Sequence, residues 1–178
     1  MWKKLSSKVI FEHPRLSLVE DEVLLPNGTK TTYLKYKDDG SCAATLIVKN
    51  TEGKILLQKE YSYPIGEKIF QLPGGHIPAG EKIENGANRE LMEEAKLKSN
   101  NLKLLGSYLA NNRRSVIKMH VFLATDLEKK QLPSDIEEEF EDFWLSESEI
   151  DKLIRENKII NANALAAWAI YKNTKEIN

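Results

Sequence analysis

The sequence predicts a mixed α+β or α/β sandwich. Short strand-like runs recur along most of the chain, one amphipathic helix interrupts them near the middle, and two helical segments lie toward the C-terminus. Strands mixed with a few helices reach a stable core by layering helix on sheet.

The first forty residues read as β-structure. Val9-Ile10-Phe11 is a short apolar run, and Leu16 to Leu25 alternates with a period near two. Pro26-Asn27-Gly28 supplies a hairpin turn before a strand from Thr31 to Tyr36. Strands follow at Ala43 to Lys49 and Lys54 to Tyr61, separated by a turn at Asn50 to Gly53. Phe70-Gln71-Leu72 leads into Pro73-Gly74-Gly75, and a helix is expected from about Lys82 to Lys96.

Asn100 and Asn101 mark a loop. Leu102 to Leu109 and Lys118 to Leu127 read as two strands joined through Asn111-Asn112-Arg113-Arg114-Ser115. Phe140 to Leu145 is the last strand, and Ser146 is placed to N-cap a helix to about Glu156. A further helix covers Ala162 to Lys172, with Ala164, Trp168 and Tyr171 as packing residues. Neither internal repeat nor low-complexity segment is seen.

Composition narrows the function classes. At 178 residues the chain fits one domain, or one domain with a small extension. Its 41% hydrophobic and 30% charged residues are ordinary for a globular protein. A net charge of -1 argues against nucleic acid or a membrane surface as partner. The single Cys42 excludes an internal disulfide framework, and its apolar neighbours suit a buried strand position. No signal-like or membrane-spanning apolar stretch is present, so the expected location is cytoplasmic.

The chemistry concentrates between Gly74 and Glu94. Glu90 and Glu94 lie four apart and share one helical face, with Glu93 beside them. Acidic helical faces are commonly just solvated surface. Here, however, Gly74-Gly75 precedes the helix, which suits a tight turn or close approach to a ligand. Ile83, Ala87, Leu91 and Ala95 recur every fourth residue and give the helix a face to bury, so its carboxylates are held. Like charges at this spacing call for a cation. Mg²⁺ suits them because it takes carboxylate oxygens together with substrate phosphates.

This stretch resembles the Nudix box: glycine, five residues, glutamate, seven residues, then Arg-Glu-aliphatic-any-Glu-Glu-any-Gly-aliphatic. Gly75, Glu81, Arg89, Glu90, Leu91, Glu93, Glu94 and Leu97 fall in register. Lys96 stands where the last glycine belongs, a change expected to alter the helix C-cap rather than the metal site. The resemblance implies an αβα sandwich around a mixed sheet and Mg²⁺-dependent hydrolysis of a pyrophosphate bond, with Mn²⁺ as a substitute. Implied metal ligands are Glu90, Glu94 and Glu93, in that order, with the backbone carbonyl of Gly74. Glu81 is expected to order the loop, and Arg89 to brace loop and carboxylates.

The flanking segments resemble the branch that cleaves ADP-ribose and related nucleoside diphosphate sugars. Residues 1–38 resemble its N-terminal β extension, which commonly exchanges between subunits of a homodimer, leaving 39–178 as the Nudix hydrolase domain. Gln58 to Pro64 resembles the strand end that follows, and Phe70 to Gly75 the branch's Leu-Pro-Ala-Gly run. In that branch a glutamate on a downstream loop is the general base. Glu139 and Glu138 are the candidates within Glu137-Glu138-Glu139, Glu139 ahead because it directly precedes Phe140.

Arg113 and Arg114 are candidate ligands for a phosphate or sugar, although two arginines in a turn are equally often solvated. Tyr61, with Tyr63 and Tyr108, is a candidate for stacking on a base, although strand tyrosines are more often core or interface residues. Asn112 stands where the branch has a proline, which weakens the substrate assignment more than the reaction. ADP-ribose is therefore the first expectation, yielding AMP and ribose 5-phosphate. GDP-mannose, a dinucleoside polyphosphate or a nucleoside triphosphate is the alternative. A nucleotide-sensing module without catalysis is the alternative of another class, opposed by retention of Glu90, Glu93 and Glu94.

Overall fold

The computed structural model describes residues 1–134 and 139–175. They form two compact units: Met1–Gly40 with Leu109–Ile117, and Ser41–Tyr108 with Lys118–Asn178.

The first unit is an antiparallel sheet of β1 (Lys3–His13), β2 (Leu16–Leu24) and β3 (Lys30–Tyr36), in that order. The turn between β2 and β3 closes through Leu25 N–H to the Thr29 carbonyl, 2.8 Å, with Gly28 at φ +84°. Alternation along β2 buries Val19, Asp21 and Val23. Buried Asp21 accepts from Ser7 Oγ at 2.6 Å and pairs with Lys35 Nζ at 3.3 Å. Burial alone would raise its pKa, but these partners hold it below the usual aspartate value. β1 extends well beyond the apolar run seen in the sequence because it pairs with β2 along its whole length, with two register shifts.

The segment Leu109–Ile117 completes this unit. Its turn closes through Ser115 N–H to the Asn111 carbonyl at 2.8 Å. It lies against β3: Tyr36 N–H donates to the Arg114 carbonyl at 2.8 Å, and Tyr33 Oη to the Arg113 carbonyl at 2.6 Å.

The second unit contains β4 (Cys42–Val48), β5 (Ile55–Ser62), β6 (Glu67–Gln71), β7 (His76–Ile77), α1 (Ile83–Glu94), β8 (Leu97–Leu109), β9 (Lys118–Lys129), β10 (Phe140–Leu145), α2 (Glu147–Arg155) and α3 (Ala162–Lys175). One sheet has the order β7-β4-β9-β8, with β4 antiparallel to β7 and parallel to β9. The other has the order β10-β5-β6 and is antiparallel.

β4 explains the layering. It is buried continuously from Ala43 to Val48, the pattern of a strand covered on both faces. Its alternate residues point opposite ways. Ala44, Leu46 and Val48 join Leu56, Ile77 and Phe122 against Ala87, Leu91 and Ala95 at α1. Ile47 joins Ile55, Leu57 and Val121 against Ile150 of α2 and Ala167, Trp168 and Tyr171 of α3. Helices on both faces make this unit an αβα sandwich, as the resemblance to the Nudix family implies.

Several local expectations are corrected. Asn100 and Asn101 lie within β8, not in a loop. The Asn88 side chain exchanges two hydrogen bonds with the Ser99 backbone at 2.9 and 3.0 Å, and Asn101 Nδ2 donates to Thr125 Oγ1 at 3.0 Å. Those bonds outweigh the turn preference of asparagine. β6 and β7, too short for a periodic signal, were not anticipated as strands. Cys42 is only half-buried, at the start of β4. The middle helix ends at Glu94, and Lys96 follows at φ +57°. Lys96 thus adopts the left-handed conformation that a glycine takes after a helix.

Ser146 forms a full capping box with Glu149 at the start of α2. Among the described residues no helix is long and apolar enough to cross a membrane.

Candidate active site

The loop before α1 is held against β4 by Ala44 N–H to the Gly75 carbonyl at 3.0 Å and Leu46 N–H to the Pro73 carbonyl at 2.8 Å. Glycine is required twice. Gly74 has φ +136°, and a Cβ there would lie 2.2 Å from the Ala44 carbonyl oxygen. A Cβ on Gly75 would lie 2.3 Å from Glu90 Oε2. The backbone turn therefore sits directly against a carboxylate of α1.

Arg89 links the loop to the helix. Its Nη1 donates to Glu90 Oε1 at 2.7 Å and Glu93 Oε2 at 2.8 Å. Its Nη2 donates to the His76 carbonyl at 2.9 Å, and Nε and Nη2 together engage both oxygens of Glu81 at 3.3 and 3.2 Å. Burial would lower the guanidinium pKa, but Glu81, Glu90 and Glu93 raise it well above its ordinary value, so the charge is fixed. Glu90 shows the opposite balance. Burial pushes its carboxyl up, Arg89 pulls it down, and Glu93 and Glu81 push it up again, leaving it raised.

Glu94 is buried and accepts the Gly74 N–H on Oε2 at 2.9 Å. Behind it lies Gln58, fully buried on β5, whose Nε2 donates to Asp142 Oδ1 at 2.9 Å and to the Glu94 carbonyl at 3.5 Å. Glu94 and Gly74 border a cavity of about 330 Å³. Glu90, Glu93, Glu94 and Arg89 line it from α1, Gly74, Gly75 and His76 from the loop and β7, and Glu60 and Gln71 from β5 and β6. Four carboxylates thus face one guanidinium, which is already engaged.

Such an oxygen-rich, negatively charged donor set suits a hard divalent cation. Among the described residues no three ligand side chains already converge on one point. The hydrogen bonds explain this: Arg89 draws Glu90 and Glu93 together on one side, while the Gly74 amide holds Glu94 on another. The donor chemistry of this lining fits such a metal.

The other candidates are dispersed. Glu139 is exposed and is not among the residues bordering the cavity. Glu138, with Glu137, lies outside the described residues. Tyr61 is exposed and adjoins Glu60 on β5, so it points to the strand's other face. Tyr63 is also exposed. Tyr108 Oη donates to the Asn163 carbonyl at 3.4 Å and lies 3.4 Å from Thr45 Oγ1. Arg113 and Arg114 belong to the first unit, where Arg114 Nη1 donates to the Leu34 carbonyl at 3.0 Å and its guanidinium covers the Tyr33 ring at 5.4 Å.

Glu60 and Gln71 were missed from sequence. The available signal was Gln58 and Glu60, polar residues two apart on β5, which must share a face.

Residues 41–167 match the NUDIX domain, and residues 2–33 match the nucleoside diphosphate sugar hydrolase N-terminal domain. The chain is 29% identical over 179 residues to the ADP-ribose pyrophosphatase of Bacillus subtilis (strain 168), covering 98% of this chain and 94% of that protein. It is 28% identical over 167 residues to the methanol dehydrogenase activator of Bacillus methanolicus, covering 93% and 89%. The crystal structure of an ADP compounds hydrolase shares its fold, with a TM-score of 0.87 at 20% identity over 97% of this chain and 92% of that one. Family members generally use divalent metal ions. With its glycine-tight loop, its Arg89-braced carboxylates and a domain match over most of its length, the chain belongs to the NUDIX domain family.

Proposed function

We propose that this Nudix pyrophosphohydrolase cleaves the pyrophosphate bond of a nucleoside diphosphate sugar, ADP-ribose above others, giving AMP and ribose 5-phosphate. The observation carrying the reading is the acidic cavity in which Glu90, Glu93 and Glu94 face the Gly74-Gly75 turn. Near end-to-end similarity to an ADP-ribose pyrophosphatase supports the substrate.

Glu90, Glu93 and Glu94 are the residues to hold Mg²⁺, or Mn²⁺ in its place, with the Gly74 carbonyl beside them. When bound, the metal neutralises phosphate charge and makes a coordinated water more acidic. Arg89 serves by positioning: it holds Glu81, Glu90, Glu93 and the His76 carbonyl in one network. Glu139 and Glu138 are the proposed acceptors of the attacking water's proton. Arg113, Arg114 and Tyr61 are the proposed contacts to the remainder of the substrate.

Residues 1–38 are proposed as an extension exchanged within a homodimer, leaving 39–178 as the hydrolase domain. The half-exposed Val9, Ile10 and Phe11 of β1 support this by presenting apolar surface to a partner. The cytoplasm is the proposed location.

The test is purified protein with Mg²⁺ and a panel of nucleotides, with products separated by chromatography. Release of AMP and ribose 5-phosphate from ADP-ribose is expected. No AMP from ADP-ribose, with another nucleotide cut well, would reject the substrate. Asn112 favours that second reading, in which GDP-mannose, a dinucleoside polyphosphate or a nucleoside triphosphate is cleaved by the same chemistry.

A further inference from the structure

Along β5 the side chains alternate between the two core layers. Leu56 packs in the layer beneath α1, and the Gln58 amide reaches the Glu94 carbonyl. Glu60 is next in that period, so it projects from the sheet toward the same side. There it borders the 330 Å³ cavity opposite Glu90, Glu93 and Glu94. It is half-buried, and Gln71 on the neighbouring strand β6 borders the same cavity. Among the described residues no ion pair with a cationic side chain engages it, because Arg89 spends its donors on Glu81, Glu90, Glu93 and the His76 carbonyl.

We propose that Glu60 is a further carboxylate of the divalent-cation site, closing it from the sheet while Glu90, Glu93 and Glu94 hold it from the helix. The inference rests on the metal-dependent reading given above. Gln71 is then the positioning partner, its amide orienting the Glu60 carboxylate as outer-shell groups orient metal ligands. A carboxylate left half-buried without a cationic partner is unfavourable in the metal-free protein, and burial accordingly raises its pKa. A cation between the two walls removes that cost.

The test is Mn²⁺ binding, measured by titration calorimetry and by the loss of the free-ion paramagnetic resonance signal, without substrate. Glu60→Gln preserves size and is expected to weaken Mn²⁺ binding by about tenfold to a hundredfold. Glu67→Gln, an exposed change on β6 outside the cavity, controls for loss of one negative charge and should leave binding within about twofold. Glu60→Asp should restore part of the affinity. Circular dichroism confirms folding of each variant. In turnover, Glu60→Gln should need more metal than the parent for half-maximal rate. Equal Mn²⁺ affinity of Glu60→Gln and parent overturns the inference alone. A parent that binds no Mn²⁺ overturns the metal-dependent reading itself.

Discussion

The two faces of β4 contrast sharply. Both bury aliphatic residues, but the layer under α1 ends in a polar seam of Gln58, Glu94 and Gly74, whereas the layer under α3 is completed by Trp168 and Tyr171. Those aromatics also have polar ends, and each is satisfied: Trp168 Nε1 donates to Asp151 at 2.8 Å and Tyr171 Oη to Glu147 at 2.8 Å. On the α1 side, Gln58 Oε1 is buried with no hydrogen-bond partner among the described residues, and the Glu90 carboxyl is raised. One face is finished for stability. The other carries unresolved polar groups where chemistry is expected.

The largest expected effect lies on the α3 side. Trp168→Ala removes a buried indole and should cost about 3–5 kcal/mol of stability, read by denaturant unfolding. Specific activity of the folded fraction should stay near the parent's; its collapse would break the division of labour. Glu94→Gln is the converse, because its amide oxygen can still accept the Gly74 N–H. Turnover should fall about 10²- to 10³-fold, the scale of losing one preorganised charge-stabilising group, with little change in melting temperature. Near-normal turnover would remove Glu94 from the proposed metal site.

Mg²⁺ at about a hundred times its dissociation constant should stabilise the protein by roughly 2.7 kcal/mol through mass action. A thermal melt reads this, and Trp168→Ala should show the same shift because its metal site is intact. An unchanged melt at that concentration would dissolve the contrast. A smaller effect belongs to Asp151. Burial would raise its pKa, but hydrogen bonds from Trp168 and Lys172 and the Lys172 charge hold it below 3.8. A depressed carboxylate contributes stability that is complete above its unfolded-state pKa and disappears as pH falls through the folded value. Melts below about pH 3.8 should therefore fall less steeply for Asp151→Asn than for the parent.

The smallest change is Lys96→Gly. Lys96 holds φ +57° after α1, which costs an L-residue about 1 kcal/mol, offset in part by the greater unfolded-chain entropy of glycine. A gain of roughly 0.5 kcal/mol in denaturant unfolding, without a change in activity, is expected. A loss would mean that the lysine side chain makes a compensating contact.

Sequence reading located what depends on short-range order. The spacing from Gly74 to Glu94 placed Arg89 and three carboxylates around one cavity, and the four-residue repeat identified Ala87, Leu91 and Ala95 as the buried helix face. The αβα layering came with the resemblance to the Nudix family, and the strands and helices read from the sequence accommodated it. Glu60 was hidden because its importance depends on β5 lying across the cavity from α1, a long-range relation without a local signal. Asn100 and Asn101 misled for the same reason: Asn88 and Thr125 supply their context from elsewhere in the chain. Lys96 was recognised as a departure at the helix end, and its backbone still adopts the conformation a glycine would take.

The membership of Leu109–Ile117 in the first unit affects how the protein can be dissected. Those residues run from the end of β8 to the start of β9, yet they are bonded to β3 through Tyr33, Leu34 and Tyr36. The polypeptide therefore enters the N-terminal unit twice, and three chain crossings join the two units rather than one. A truncation after Gly40 would strand the Arg113-Arg114 turn with unmatched backbone groups, and an excised N-terminal piece would lack its closing segment. Grafting this extension onto another hydrolase requires transplanting two separate stretches of sequence together.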